Sequence, residues 1–299
     1  MQLSDNIRGA LLMTGSMTAF TINDVFMKGV LADVPLFQAL FLRSCGVIVG
    51  LVILAKLLGQ LRFDLGRRDW TLMLMRAASE ALSAVMFLSA LSRMPIANVS
   101  AILQALPLTV SLASALFLGA ALGWRRLTAI LVGFCGVMLI VQPGGADFNA
   151  ASLYAVAAVI LVTFRDVIVR RMSPDTPSMM IALSAAGLVT VMAAVGAAIG
   201  PWVAVSAGMM WQLAGATTFI IGGYVFSVAT MRVGEISFIA PFRYTSLLVA
   251  LVLGALVFGE VPSGWTLVGA GIVVATGLFT LSREAKLKAR TQLAAGRLR

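Results

Sequence analysis

The chain has 299 residues, 60% of them hydrophobic and 11% charged, with a formal net charge of +10 and a mean hydropathy of +1.00. So little charge cannot cover a soluble domain of this size, and the sequence is that of an integral membrane protein. The apolar runs are long and do not alternate, which predicts helices and not a barrel; with no histidine and two cysteines, Cys45 and Cys135, a Cys/His metal site and a disulfide framework are excluded.

Spans are predicted at 9–27, 36–57, 70–91, 96–118 and 127–141, then at 152–169, 179–199, 211–231, 237–258 and 265–281. The first has no small-residue cleavage site after it and reads as a span, not a signal peptide. Several are just long enough to cross about 30 Å of hydrocarbon with little tilt. Trp70, Trp124, Trp202, Trp211 and Trp265 fall at or beside predicted ends, as interfacial anchors do. Both cysteines lie inside apolar runs and are expected to be small buried side chains. Gly46 and Gly50 allow a close helix approach, either within the bundle or in a weak homodimer, so monomer and dimer both stay open. Pro107 and Pro241 each remove a backbone hydrogen bond and predict kinks in the fourth and ninth spans.

The connections sort by charge. One set carries Arg8, Lys56, Arg62, Arg67, Arg68, Arg125, Arg126, Arg170, Arg171, Arg232 and the basic tail 283–299; the other offers little beyond Lys28 and Arg93. Positive loops stay in the cytoplasm, so both termini are placed there. Basic edges beside apolar spans serve anionic lipid headgroups, not nucleic acid. The loops are too short to hold a catalytic domain.

The second half reads as a rewritten copy of the first. Thr21-Ile22-Asn23-Asp24-Val25, then Lys28 and Pro35, lies over Thr163-Phe164-Arg165-Asp166-Val167, then Arg170 and Pro177. Residues 1–145 and 146–282 would be the two copies, divided near 144–151. Each holds five spans, an odd number, so they insert in opposite orientation, an arrangement many secondary transporters use to build two gates around one site.

Charges inside apolar spans cost about 2.5–3.5 kcal/mol on insertion scales and face a cavity or a partner. Asp24, Arg43, Arg76, Glu80, Arg165, Asp166 and Arg243 are the candidates. By depth, Asp24 and Arg43 meet towards the outer side with Gln104 level with them. Asp166 and Arg243, the repeat mates of Asp24 and Gln104, meet towards the inner side. Two readings stay open: alternate gates, or pairs that merely neutralise one another. Glu80 lies near the midplane with Arg76 one turn below, either as a proton or ammonium site or as a satisfied ion pair. Thr18, Thr21, Asn23, Ser83, Gln104, Tyr224, Ser227, Phe242, Tyr244 and Thr245 complete the candidates, although isolated hydroxyls in membrane helices mostly bond their own backbone. The run Pro241-Phe242-Arg243-Tyr244-Thr245 sets a kink, a charge and two rings together, as a pocket for a small amphiphile requires.

Arg93-Met94-Pro95-Ile96-Ala97, Pro107, Phe117-Leu118-Gly119, Trp124-Arg125-Arg126 and Gly133…Gly136-Val137 resemble the first EamA repeat, and Ala240 to Thr245, Phe258-Gly259-Glu260 and Gly269…Gly277 resemble the second. The chain is therefore similar to the ten-helix branch of the drug/metabolite transporter superfamily. It departs at Ala120, where the family often has an acid matching Glu260. The resemblance implies ten helices in two inverted five-helix repeats around a central cavity, lined mainly by the first, third, fourth, sixth, eighth and ninth helices. It implies export of amino acids or related small amphiphiles across the bacterial inner membrane. Uptake of S-adenosylmethionine-like or nucleoside-like metabolites is the alternative, to which Asp24 and Phe41-Leu42-Arg43-Ser44 point; organic-cation efflux and a receptor or scaffold are further ones. No cofactor is expected. No phosphate-binding Gly-x-x-x-x-Gly-Lys-Ser/Thr loop is present, which argues against an ATP-driven pump. The absence of histidine argues against an intramembrane hydrolase.

Overall fold

The computed structural model describes residues 5–60, 64–119, 123–143, 149–173, 175–230, 233 and 236–296. The expectations placed on Arg62, Ala120, Arg232 and positions 144–148 lie outside the described residues, as do the side chains of the tail beyond Arg283. The elements are α1 (Asp5–Val30), α2 (Leu36–Leu57), α3 (Arg67–Leu91), α4 (Ile96–Leu103), α5 (Leu106–Leu118) and α6 (Trp124–Val141), then α7 (Ala151–Val169), α8 (Ser178–Ile199), α9 (Ala207–Thr230), α10 (Ile236–Ile239), α11 (Thr245–Phe258) and α12 (Gly264–Gly296). No strand occurs among the described residues.

Among the described residues, nine segments are long and apolar enough to cross a membrane. Helix α1 is more polar, carrying Ser16, Asn23, Asp24 and Lys28, but at 26 residues it is long enough. It runs antiparallel along the whole of α9: Gly9 lies against Ile239 and Val233, the Ser16 hydroxyl donates to the Gly223 carbonyl at 2.9 Å, and Gly29 faces Gln212. A helix laid full length against a span is itself a span, which makes ten. Their outward faces carry apolar side chains, among them Leu57, Ile199 and Leu256, suited to lipid. Trp124, Trp202, Trp211 and Trp265 are exposed at helix ends.

The two prolines act where expected. Helix α4 stops at Leu103, the residue whose carbonyl the Pro107 ring would strike, and Gln104 and Ala105 tighten into three-residue hydrogen bonds before α5 begins. At Pro241 the chain takes a 3₁₀ turn over Ala240–Tyr244 between α10 and α11. Both composite spans end in a left-handed glycine, Gly119 and Gly259, each at φ 66°. One interval separates Ile96 from Ile236, Leu118 from Phe258 and Gly119 from Gly259. In that register Gln104 falls against Tyr244 and Leu103 against Arg243, one residue away from the pairing expected from sequence.

Helix neighbours follow one rule. Helix α1 packs on α9 and on α11; correspondingly α7 packs on α3, α4 and α5; α2 packs on α8, and α6 on α12. Exchanging α1–α6 for α7–α12 returns the largest of these pairs, α1 on α9 for α7 on α3 and α1 on α11 for α7 on α5, whereas among the described residues α4 on α11 has no such counterpart. Helices α6 and α12 cross backbone to backbone, since a Cβ on Gly136 would meet the Gly269 carbonyl, and one on Gly269 the Gly136 carbonyl.

One open reading is narrowed here and one expectation is corrected. Gly46 and Gly50 are covered by Thr217 and Ile221 of α9, so that face is consumed inside the bundle and is not a dimer surface. Cys45 and Cys135 are exposed, not buried. In α2 the buried stripe runs through Ala39, Leu40, Arg43, Val47 and Leu51, and in α6 through Ala129, Ile130, Gly133, Gly136 and Ile140, and each cysteine falls between stripe positions, on an outward face.

The crossing of α6 and α12 makes a prediction. Gly269→Val, forced against backbone, should destabilise the protein by about 1–3 kcal/mol, seen as a lower melting temperature in detergent. Gly271→Ala, with open space around the added methyl, should leave it unchanged or raise it.

Candidate functional site

Helices α3 and α7 face each other across a pair of charges. The Arg165 Nη1 of α7 donates to Glu80 Oε2 of α3 at 2.7 Å, and its Nε donates to Asp166 Oδ1 at 2.9 Å. Arg76, one turn before Glu80 on the same face of α3, reaches that Oε2 at 3.6 Å and the Ile181 carbonyl of α8 at 3.4 Å. Glu80 is therefore shared by two guanidiniums. The four side chains keep between 15% and 29% of their surface accessible. Charges placed within apolar spans and paired across helices face the bundle interior or one another.

On the other side of the same space, α1 and α2 contribute Asn23, Asp24 and Arg43. Arg43 Nη1 donates to Asn23 Oδ1 at 3.4 Å, and Asn23 Nδ2 donates to Asp24 Oδ1 at 2.9 Å. The expected meeting of Asp24 and Arg43 is thus indirect, with the Asn23 amide between them. Tyr224 of α9 connects the two groups. Its phenol lies within electrostatic reach of Arg43, Arg76, Glu80 and Arg165, and its ring takes the edge of Phe20 at 5.5 Å. Three carboxyl groups and three guanidiniums so assembled are formally neutral as a set.

The remaining candidates lie elsewhere. Ser83 bonds the Glu80 carbonyl of its own helix at 2.9 Å. Gln104 does not join Asp24; its Nε2 donates to Ser246 Oγ at 2.8 Å, tying α4 to the first turn of α11. Asp166 is held by Arg165, and Arg243 is exposed and makes no ion pair among the described residues. The 3₁₀ turn explains why. With three residues per turn, Tyr244 points inward and lies against Gly277 of α12, while Phe242 and Arg243 turn to the open side, where Phe242 packs on Phe238 at 5.9 Å. Thr245 begins α11, half-buried. Thr21 bonds the Met17 carbonyl at 2.9 Å, the backbone use expected of such hydroxyls.

Sequence reasoning did not single out the ion pair that closes one end of the bundle. Lys28, at the end of α1, pairs with Glu260 just beyond α11 and also donates to the Met94 carbonyl at 2.7 Å. The other Glu260 oxygen accepts the N–H of Ile96, the first residue of α4, at 2.9 Å, placing a carboxylate on a helix N-terminus. Lys28 was legible as one of two cations in the charge-poor connections, and Glu260 as the acid without a mate at Ala120. At the opposite end the basic connections converge, with Arg126 on Ser111 Oγ at 2.7 Å, Arg170 on Ser114 Oγ at 2.9 Å and Arg171 on the Phe117 carbonyl at 2.9 Å. The loops sorted together by charge therefore do share an end.

Removing the shared carboxylate should be costly. Glu80→Gln leaves Arg76 without an ionic partner and Arg165 with one, and should destabilise by about 1–3 kcal/mol, less than a fully buried pair because about a fifth of each side chain is solvated. The double substitution Glu80→Gln/Arg165→Gln should recover part of the loss. A double-mutant cycle read by chemical denaturation in detergent checks it, and strict additivity would contradict the pairing.

Residues 7–142 match the EamA-like transporter family. A riboflavin transporter of Vibrio cholerae is 30% identical over 298 residues, covering 95% of this chain and 96% of its own. An S-adenosylmethionine uptake transporter of Rickettsia bellii is 28% identical over 201 residues, covering 66% of this chain and 67% of its own. The pseudopaline exporter CntI of Pseudomonas aeruginosa is 26% identical over 289 residues, covering 93% and 97%. A solved crystal structure, 17% identical, superposes at a TM-score of 0.61 over 95% of this chain and 98% of its own, a likeness of fold alone. With a charge-lined interior in an all-helical bundle and full-length transporter relatives, this multi-pass bacterial membrane protein belongs to the EamA-like transporter family.

Proposed function

We propose that the protein is a secondary carrier of the bacterial inner membrane, moving amino acids or related small amphiphilic metabolites by alternating access. One observation carries this reading. Asp24, Arg43, Arg76, Glu80, Arg165 and Asp166, drawn from four helices, converge with Tyr224 on one partly accessible interior space. A formally neutral site rich in both signs suits a ligand that carries both. The exchange of helix neighbours between α1–α6 and α7–α12 supports two inverted halves, 1–145 and 146–282, rocking about that site. The convergence of basic residues at one end supports cytoplasmic termini. Export is the direction implied by the family resemblance, although the relatives include both an uptake transporter and an exporter.

A second reading has its own support. The Vibrio cholerae riboflavin transporter matches nearly end to end, and the Phe20–Tyr224 pair offers a ring edge beside the charges on which a flat heterocycle would stack. Proteoliposomes decide between the two. An imposed proton or sodium gradient should drive accumulation of labelled amino acids, unchanged chemically. Accumulation of riboflavin alone would favour the second reading, and no gradient-driven flux of any metabolite would overturn the carrier.

Alternating access also requires an end that opens. Lys28 and Glu260 join α1, α4 and the end of α11, so their separation would admit solvent from that side. In a background carrying Cys45→Ser and Cys135→Ser, a disulfide formed across Lys28→Cys and Glu260→Cys should abolish turnover, and reductant should restore it. Undiminished transport by the cross-linked protein would show that this end stays shut throughout the cycle.

A further inference from the structure

The guanidiniums of the site are not equally satisfied. Arg165 spends its donors on two carboxylates at 2.7 and 2.9 Å and is committed to the fold. Arg43 is only 8% exposed, yet its one side-chain hydrogen bond is the long one to Asn23, and its Nε is buried with no partner. A buried, unpaired charged donor costs more than a surface one, so something must recover that cost. Asp24 is the obvious partner, and it is not used: one of its oxygens takes the Asn23 amide and it makes no direct ion pair with Arg43. Opposite charges this close in a low-dielectric interior attract strongly. Asn23, donating to one and accepting from the other, holds them apart. The result is a guanidinium donor and a carboxyl acceptor held apart by a polar spacer.

We propose that Arg43 and Asp24, set apart by Asn23, form a receptor for the head group of an α-amino acid: the carboxylate on Arg43, the ammonium on Asp24. Those two groups sit on a single carbon, so a ligand bridges the gap without either charge moving far. A planar guanidinium with free donors matches a carboxylate fork-to-fork. Phe20 lies one turn before Asp24 on α1 and meets Tyr224 edge-on, so the ligand's side chain would rest on an aromatic wall. The substrate class is thus α-amino acids, or metabolites built on one, with an apolar or ring-bearing substituent. The assignment rests on the carrier reading and deepens it.

Full-length protein purified in detergent tests it by thermal shift with L-leucine, L-methionine, L-phenylalanine and S-adenosylmethionine, the first three beside their carboxamides and N-acetyl derivatives. At least one free amino acid or S-adenosylmethionine should raise the melting temperature, and for the amino acids that do so, loss of either charge should weaken binding about tenfold or more, the scale of one charged hydrogen bond. Arg43→Gln should erase the preference for acid over amide while keeping that for amine over N-acetyl; Asp24→Asn should do the reverse. Should Arg43→Gln fail to fold, Arg43→Lys keeps the charge without the planar donors and should narrow the acid-to-amide ratio. No shift by any of the probes, equal binding of the amides, or a uniform loss across all probes in the variants would overturn the receptor. Gradient-driven flux of riboflavin with no amino-acid shift would sink this assignment and leave the carrier standing. Absence of any gradient-driven flux would sink the carrier itself, whatever the shifts show.

Discussion

The structure turns on the salt bridge between Glu80 and Arg165. An isolated charge in the middle of a bundle has two stable fates: it loses its ionisation, or it acquires a partner within hydrogen-bonding distance. Glu80 acquires two, and in doing so pins α3 to α7 at the depth where the bundle would otherwise be held by small apolar side chains alone. Arg165 also holds Asp166, its neighbour on α7. That leaves the opposite pair, α1 and α9, to bring Asn23, Asp24 and Tyr224 round to the same space. Formal neutrality of the whole cluster spares the bundle a net buried charge.

Packing between the helices obeys a different logic from that cluster. Apolar contact with a neighbour is worth little when lipid is equally apolar, so helices approach where side chains are smallest. Gly136 against Gly269, Gly46 under Thr217 and Gly223 beside Phe20 are such places. They put backbones close enough that short polar side chains reach across, as Ser16 does to the Gly223 carbonyl. Charges fix which helices face the interior, and glycines fix how closely they stand.

Much of this was legible from residue order. Span 36–57 coincides with α2, and the prolines at 107 and 241 mark the broken helices because a missing N–H and a ring clash are local effects. The seven intramembrane charges were found because each is anomalous in an apolar run. Their pairing was legible for Glu80 and Arg76, one turn apart on one helix, but not across the bundle. Asp166 has its own neighbour, Arg165, as partner, and depth alone cannot distinguish a neighbour in sequence from one across the bundle. Nor does depth report rotation: Arg243 and Phe242 share a level with Tyr244, yet the 3₁₀ turn sends them the opposite way. The cysteines show the same limit, since an apolar run does not say which of its faces meets lipid.

The ends of the bundle differ more than its middle, and under the proposed rocking cycle that difference has a consequence. Lys28 corresponds to Arg170 in the sequence copy, and Glu260 to Ala120. One end is therefore held by an ion pair that also caps α4, whereas among the described residues Arg170 bonds a serine hydroxyl. A partly buried ion pair contributes about 1 kcal/mol, enough to favour the state that keeps it several-fold. A bias of that size sets which way the empty carrier faces. It does not set the direction of net transport, because a carrier returns to the same resting state each cycle and only the gradients of ligand and coupling ion supply work. The asymmetry between Glu260 and Ala120 is thus a property of affinity and resting orientation, and the same fold can serve relatives described as an exporter and as an uptake transporter.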